Sequence, residues 1–195
     1  HDYGGIVLAD IVTIALGRKA AAAGADGLVA VSSGAGGHTG QLSPFAFVSA
    51  IREFFDGIVC VGGGISDGAG VAGAVAAGAD LVYMGTRFLA AEESMAVDDY
   101  KDMVVSSDAT DLIVSAGVTG TPASWLIPSL LANGYDLDDL TKPATRNYGG
   151  DDVGTRWKDL WAAGQGIQAV KGREPVAAIG DQLEAEFRSA KARLA

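Results

Sequence analysis

Two rhythms of apolar residues alternate along the first half of this chain. Short, almost uninterrupted apolar runs at residues 6–12, 27–32, 58–61 and 81–84 read as strands. Between them, apolar positions recur at helical spacing. Ala15, Leu16, Lys19, Ala20 and Ala23 share one face of a segment closed by Gly24. Phe45, Val48, Ile51, Phe54 and Phe55 line a second helix over residues 44–55. Asp67 is placed to cap a third, running through Val71 and Val75 to Ala77 and ending at Gly78. The order is β-α-β-α-β-α-β with short connections. Strands this apolar are buried on both faces, which predicts a parallel sheet covered by helices.

Two of the helices end in related phrases, Ala23-Gly24-Ala25-Asp26 and Ala77-Gly78-Ala79-Asp80, each just before a strand. Such a repeat is expected of a barrel assembled from similar βα units. A complete eight-stranded barrel takes about 250 residues. Only residues 1–95 carry the pattern here, so the expectation is α/β architecture: the C-terminal half of a TIM (β/α)8 barrel. The chain opens without methionine, at His1-Asp2-Tyr3, and reads as the back part of a longer polypeptide.

Past residue 95 the rhythm changes. Thr121-Pro122, Ile127-Pro128, Asn133-Gly134 and Lys142-Pro143 punctuate short pieces, among them a helix expected over residues 124–131. Trp157 and Trp161 stand at i, i+4, as on one helical face. Residues 96–174 are expected to form a helical and loop cap over the barrel mouth. Residues 175–195 read as a final helix, with Ile179, Leu183 and Phe187 as its apolar stripe, packing back on the barrel.

Composition narrows the function. The net charge of -10 disfavours nucleic acid and anionic membrane surfaces as partners. No apolar run reaches the length of a membrane span and no leader pattern opens the chain, so a cytoplasmic enzyme is the expectation. The single Cys60 lies among Ile58, Val59 and Val61, as a buried strand thiol without a cationic neighbour to activate it. Asp136-Leu137-Asp138-Asp139 and Asp151-Asp152 read as solvated turns and caps. No metal-ligand spacing is present, and no metal is expected.

The 28 glycines matter more, because they cluster at strand ends. Gly34 to Gly40, Gly62 to Gly64, and Gly85-Thr86 follow three successive strands. In a parallel barrel these ends share the ligand-binding face. Loops rich in exposed amides there suit a phosphate; tight βα turns would also use glycine. Arg87, next in line, fits either a phosphate contact or a structural ion pair. Gly68-Ala69-Gly70-Val71-Ala72-Gly73 matches the dinucleotide fingerprint formally, but it does not directly follow the strand and lacks the later acidic residue. His38, in Gly36-Gly37-His38-Thr39-Gly40, is the one histidine beyond the first residue. An imidazole on a ligand-facing loop can serve as an acid or base near neutral pH; the plainer alternative is a hydrogen-bonded turn histidine.

Three phrases taken together, Gly34-Ala35-Gly36-Gly37-His38-Thr39-Gly40, Gly63-Gly64-Ile65-Ser66-Asp67-Gly68 and Met84-Gly85-Thr86-Arg87-Phe88, resemble the nitronate monooxygenase (2-nitropropane dioxygenase) family. That family also includes flavin-dependent enoyl-acyl carrier protein and acyl-CoA reductases. Ala162-Ala163-Gly164-Gln165-Gly166 is a weaker match. The resemblance implies FMN, with Ala35, Gly36 and Gly37 along the flavin and Gly63, Gly64, Gly85 and Thr86 around its phosphate. It also implies Gln165 on the cap side of the flavin and His38 as the catalytic histidine. One position departs: the family often has an acid just before Ala-Gly-Gly-His, where this chain has Gly34.

The expected activity is therefore FMN-dependent oxidation of a small nitro compound or nitronate with oxygen. The alternatives are an NAD(P)H-dependent flavin reductase of an unsaturated or cyclic acyl thioester, and a non-catalytic barrel that binds a phosphate ligand. The expected partner is a small molecule; a homo-oligomer is compatible with the sequence.

Overall fold

The computed structural model describes residues 1–144 and 158–194. Its centre is a parallel sheet of β1 (Leu8–Ile11), β2 (Gly27–Val31), β4 (Ile58–Gly62) and β5 (Leu81–Tyr83), in the order β1-β2-β4-β5. Three helices connect them: α1 (Ile14–Ala22), α2 (Pro44–Arg52) and α3 (Gly68–Ala76). Each begins at a side-chain cap. Thr13 accepts from the Leu16 amide, Ser43 from Ala46 ahead of Pro44, and Asp67 from Gly70.

Alternation along the strands divides the sheet into two faces. Ala9, Ile11, Leu28, Ala30, Val59, Val61 and Val82 face the helices and meet Phe47, Val48 and Ile51 in one core. The residues between them, Asp10, Val29, Cys60 and Leu81, stand in register across the opposite face. Burial on both faces holds for the inner strands β2 and β4. It does not hold for the outer strands, which have a sheet neighbour on one side only: Leu81 is 50% and Tyr83 61% exposed.

The repeated phrase has a structural meaning. Gly24 (φ +89°) and Gly78 (φ +108°) each end a helix in the left-handed region. Two residues on, each aspartate returns to the strand before its helix. The Asp26 carboxylate accepts from the Val7 amide at 2.7 Å, and the Asp26 amide donates to the Val7 carbonyl at 2.9 Å. Asp80 does the same with Val59, at 2.8 Å both ways, and also holds Arg52 at 2.5 Å. The repeat is thus a hook that fixes each βα unit to the next.

The rest of the chain differs more from expectation. Residues 124–131 are not one helix. Strand β7 (Ala123–Leu126) runs into α6 (Ile127–Ala132), which carries Pro128 in its first turn. Proline disfavours helix in the residue before it and suits a helix start, so the chain is extended up to this point. β7 is the middle strand of a small antiparallel sheet, between β3 (Gly37–His38) and β6 (Leu112–Ser115). Helices α4 (Thr86–Leu89) and α5 (Asp98–Ser106) lie between β5 and β6. The pairing of Trp157 with Trp161 falls partly outside the described residues, as does Asp151-Asp152. Trp161 itself stacks on Tyr100, ring centroids 5.0 Å apart. The last helix, α7 (Val176–Leu194), packs along α3, with Glu186 accepting from the Gly68 amide at 2.8 Å.

Asp80 supplies the first test. The Val59 amide, and then Arg52, hold its carboxyl below the usual range. A carboxyl depressed in the folded state stabilises above its unfolded value of about 3.9 and loses that contribution as pH falls through the folded value. D80A should lose about 1–3 kcal/mol at neutral pH, because it leaves the buried Val59 amide without its acceptor. In urea unfolding, the gap between wild type and variant should shrink on acidification below about pH 4.

Candidate active site

The C-terminal ends of β2, β4 and β5 open onto one side of the sheet. The carbonyl of Gly34, just past β2, accepts from the amides of Gly64 (3.1 Å) and Gln165 (2.9 Å). It therefore ties the β2 and β4 loops to the segment after residue 160. Thr86, just past β5, joins the same knot by accepting from the Gly164 amide at 2.9 Å. Ser32 donates to the Gly62 carbonyl at 2.6 Å, and Thr39 donates back to the Ser32 carbonyl at 3.0 Å. Gly34 sits at φ +89°, and a Cβ there would lie 3.0 Å from Oε1 of Gln165. The left-handed backbone favours glycine here, and any side chain would have to displace the Gln165 amide.

These loops frame a cleft of about 520 Å³. Ala35, Gly36, Gly37, His38, Gly63, Gly64, Gly85 and Thr86 all line it. Gln165 stands at its edge, beside Gly34. His38 is exposed, and its backbone belongs to β3, paired with Ala123 of the antiparallel sheet. The imidazole and the end of its own glycine loop at Gly37 are thus positioned by the second sheet, while the Gly63-Gly64 and Gly85-Thr86 loops are positioned by the first.

Ala162 and Gly164, from the weaker phrase, also line the cleft, and it has further walls that the motifs did not reveal: Asp10, Val12, Tyr83 and Tyr100. Asp10 and Tyr83 come from the face of the sheet turned away from the helices, a placement that strand alternation could have exposed. Tyr100 donates to the Ala162 carbonyl at 2.5 Å, and burial raises its pKa. Its signal was weak, since a tyrosine in a short polar helix carries no motif. Cys60 is buried on that same sheet face, and desolvation followed by the Asp10 charge pushes its thiol pKa up. It is suited to packing rather than to nucleophilic work.

The framework leaves open main-chain space beside Gly85. Two of the first-turn amides of α3 are taken up by side chains, Gly70 by Asp67 and Gly68 by Glu186. Gly64 donates to Gly34. The space in front of Gly85 is open, with nothing within 4 Å of where a Cβ would stand. Gly63 lies at φ +130°, where a Cβ would meet Ser32 Oγ at 2.3 Å. An anion can therefore approach the backbone at Gly85 more closely than a side chain would permit, while the missing Cβ of Gly63 lets its loop close onto Ser32. Arg87 does not line the cleft; it turns away to Glu174 and Gln182. Among the described residues, no group of three or more His, Cys, Asp or Glu is arranged to hold a metal. Among the described residues, no helix is long and apolar enough to cross a membrane.

A parallel βα sheet whose strand ends carry glycine loops around one cleft defines a ligand-binding (β/α) barrel. The profile of the nitronate monooxygenase family matches residues 1–179, and the chain belongs to that family. A Staphylococcus saprophyticus protein described as "Probable nitronate monooxygenase" is 33% identical over 161 residues, 72% of this chain and 45% of that protein. An octahydro-indene-carboxyl-CoA dehydrogenase of Rhodococcus jostii is 35% identical over 61% of this chain and 34% of that protein. Among solved structures, FabK from Thermotoga maritima superposes with a TM-score of 0.81 at 26% identity, covering 99% of this chain and 64% of its own. Nitroalkane oxidase from Streptomyces ansochromogenes gives 0.77 at 28%, covering 100% and 60%. The chain thus spans about half the length, or less, of the curated relatives and about three-fifths of the solved ones. The fold is the TIM (β/α)8 barrel, of which this chain supplies four βα units.

Two glycines in the cleft should respond oppositely to alanine. A Cβ on Gly36 would stand 2.6 Å from the Gly164 nitrogen and 2.7 Å from the Ala163 carbonyl carbon, both backbone. Gly36→Ala should cost about 1–3 kcal/mol of stability. Gly85→Ala, facing open space, should stay within about 0.5 kcal/mol of wild type. Denaturant unfolding of the two variants side by side is the check.

Proposed function

We propose that the cleft holds FMN and that the protein is a flavin-dependent oxidoreductase acting on a small nitro compound or nitronate, with oxygen as acceptor. The observation that carries this reading is the meeting of three glycine loops and His38 in one cleft, in a chain of the nitronate monooxygenase family. The flavin, when bound, supplies the redox chemistry. The chain's own residues supply place and charge. Gly63, Gly85 and Thr86 receive the phosphate end, with the Thr86 hydroxyl proton free to point at it while its oxygen accepts from Gly164. Ala35, Gly36 and Gly37 make a flat wall along which a ring system can lie, and Gln165 guards its outer edge. Gly64 contributes shape, its amide being bonded to Gly34. His38 takes up the proton alpha to the nitro group, or holds the anionic nitronate. Residues 96–174 act as the cap over the barrel mouth, with residues 175–195 packed back on it. The protein works in the cytoplasm on a small-molecule substrate, and a homo-oligomer is compatible with this site.

A second reading is an NAD(P)H-dependent reductase of an acyl thioester, with His38 as proton donor. The carboxyl-CoA dehydrogenase among the relatives favours it. Anaerobic titration separates the two readings. Bleaching of the flavin absorbance by a nitronate, but by neither NADH nor NADPH, is expected. Rapid bleaching by a reduced nicotinamide would move the assignment to the reductase, and a colourless protein that takes up no FMN would overturn both.

His38→Ala should keep its flavin spectrum and lose about 10²–10⁴-fold in turnover, the usual contribution of a positioned acid or base. Steady-state oxygen uptake measures it, and turnover equal to wild type would remove His38 from the mechanism.

A further inference from the structure

Behind the cleft, Arg87 and two side chains that no motif singled out, Gln182 and Glu186, link its two phosphate-side loops. Arg87 follows Thr86 directly, and only 2% of it is exposed. Its guanidinium donates to Glu174 at 3.0 Å and to Gln182 of α7 at 2.9 Å. The amide end of Gln182 then donates to Glu186, one turn further along α7, at 2.7 Å. The other oxygen of Glu186 accepts from the Gly68 amide at 2.8 Å, where α3 begins after the Gly63-Gly64 loop. The Gly68 amide, then Gln182, keep the Glu186 carboxyl below its ordinary pKa, with the Arg87 charge adding to this. The junction is close as well as polar: a Cβ on Gly68 would lie 2.2 Å from the Leu183 carbonyl and 2.3 Å from the Phe187 nitrogen. Gln182 is the one link in this chain whose side chain both donates and accepts, so it can join a guanidinium to a carboxylate.

The loops in front of this chain need such support. Helix α4 has four residues, fewer than an isolated helix needs to hold its own geometry. The Gly63-Gly64 turn is made of two glycines at positive φ, which sample many backbone states unless held. A phosphate bound by main-chain amides depends on the spacing of those two loops, because amides have no side-chain reach to correct an error.

We propose that Arg87, Gln182 and Glu186 form a brace that sets the spacing of the Gly63-Gly64 and Gly85-Thr86 loops. The brace thereby selects a phosphate-bearing flavin over its phosphate-free form. The proposal rests on the flavin reading above. It assigns Gln182 and Arg87 as positioning residues that do not touch the ligand themselves.

The experiment uses the flavin-stripped protein, titrated with FMN and separately with riboflavin by quenching of flavin fluorescence. Gln182→Ala is the principal variant, because Gln182 is exposed and its replacement leaves the core intact. Arg87→Lys is the second, since it keeps the charge while its shorter side chain does not bring the ammonium to the position of the terminal nitrogen that donates both bonds. The expected result for Gln182→Ala is a loss of about tenfold in FMN affinity with riboflavin affinity unchanged, the scale of one hydrogen bond to a charged group. Arg87→Lys should shift in the same direction. Parallel loss of both ligands, or no change in either, overturns the brace while leaving the flavin reading in place. Wild-type protein that binds neither FMN nor riboflavin overturns the flavin reading, and the brace falls with it. Unfolding midpoints of both variants, compared with wild type, identify a variant whose losses come from misfolding. Should Gln182→Ala misfold, Arg87→Lys alone decides.

Discussion

One carbonyl oxygen, that of Gly34, decides whether this site exists as a unit. It takes hydrogen bonds from the β4 loop and from the segment after residue 160, and so joins three stretches that are distant in sequence. Each of those stretches is mostly glycine or alanine and has little side-chain packing of its own. Without a shared acceptor, each amide would satisfy itself with water, and the loops would have no common geometry. The backbone that makes this possible is at φ +89°, which favours glycine at the hub. Its lack of an acidic side chain follows from the same geometry.

The barrel part of the chain was legible because its signals are local. A buried parallel strand is a short apolar run, and a βα unit ends in a glycine followed by the next strand, so strands and helices fall within a few residues of their expected places. The hook aspartates, Asp26 and Asp80, were visible as a repeat, though their partners Val7 and Val59 were not. The cap was less legible because its pairing is not local. β7 carries no alternation, being buried along its whole length, and while β6 lies close before it in sequence, its other partner, His38's two-residue strand, lies more than eighty residues earlier. The apolar run around it reads equally as helix until Pro128 is considered.

The site shows the same division. Residues that matter through glycine at a strand end could be named from the sequence, and all of those on the three loops except Gly40 meet in the cleft. Tyr100 could not, because a single aromatic side chain in a short polar helix carries no pattern, and Asp10 and Tyr83 were readable only through the alternation of their strands. Arg87 was ambiguous for a physical reason: a guanidinium beside a phosphate loop can turn toward the ligand or away from it. Burial against Glu174 and Gln182 settles its direction.

The strand that carries His38 belongs to the antiparallel sheet and not to the barrel. The imidazole is therefore borne by β7 and β6, while the proposed cofactor site is borne by β2, β4 and β5. Substitutions that reshape the cap to admit a different substrate would re-aim the imidazole at the same time. In an evolving lineage, or in a directed-evolution campaign, specificity and reactivity here would drift together. The Gly63-Gly64 and Gly85-Thr86 loops, anchored to the other sheet, could stay unchanged through many such substrate changes.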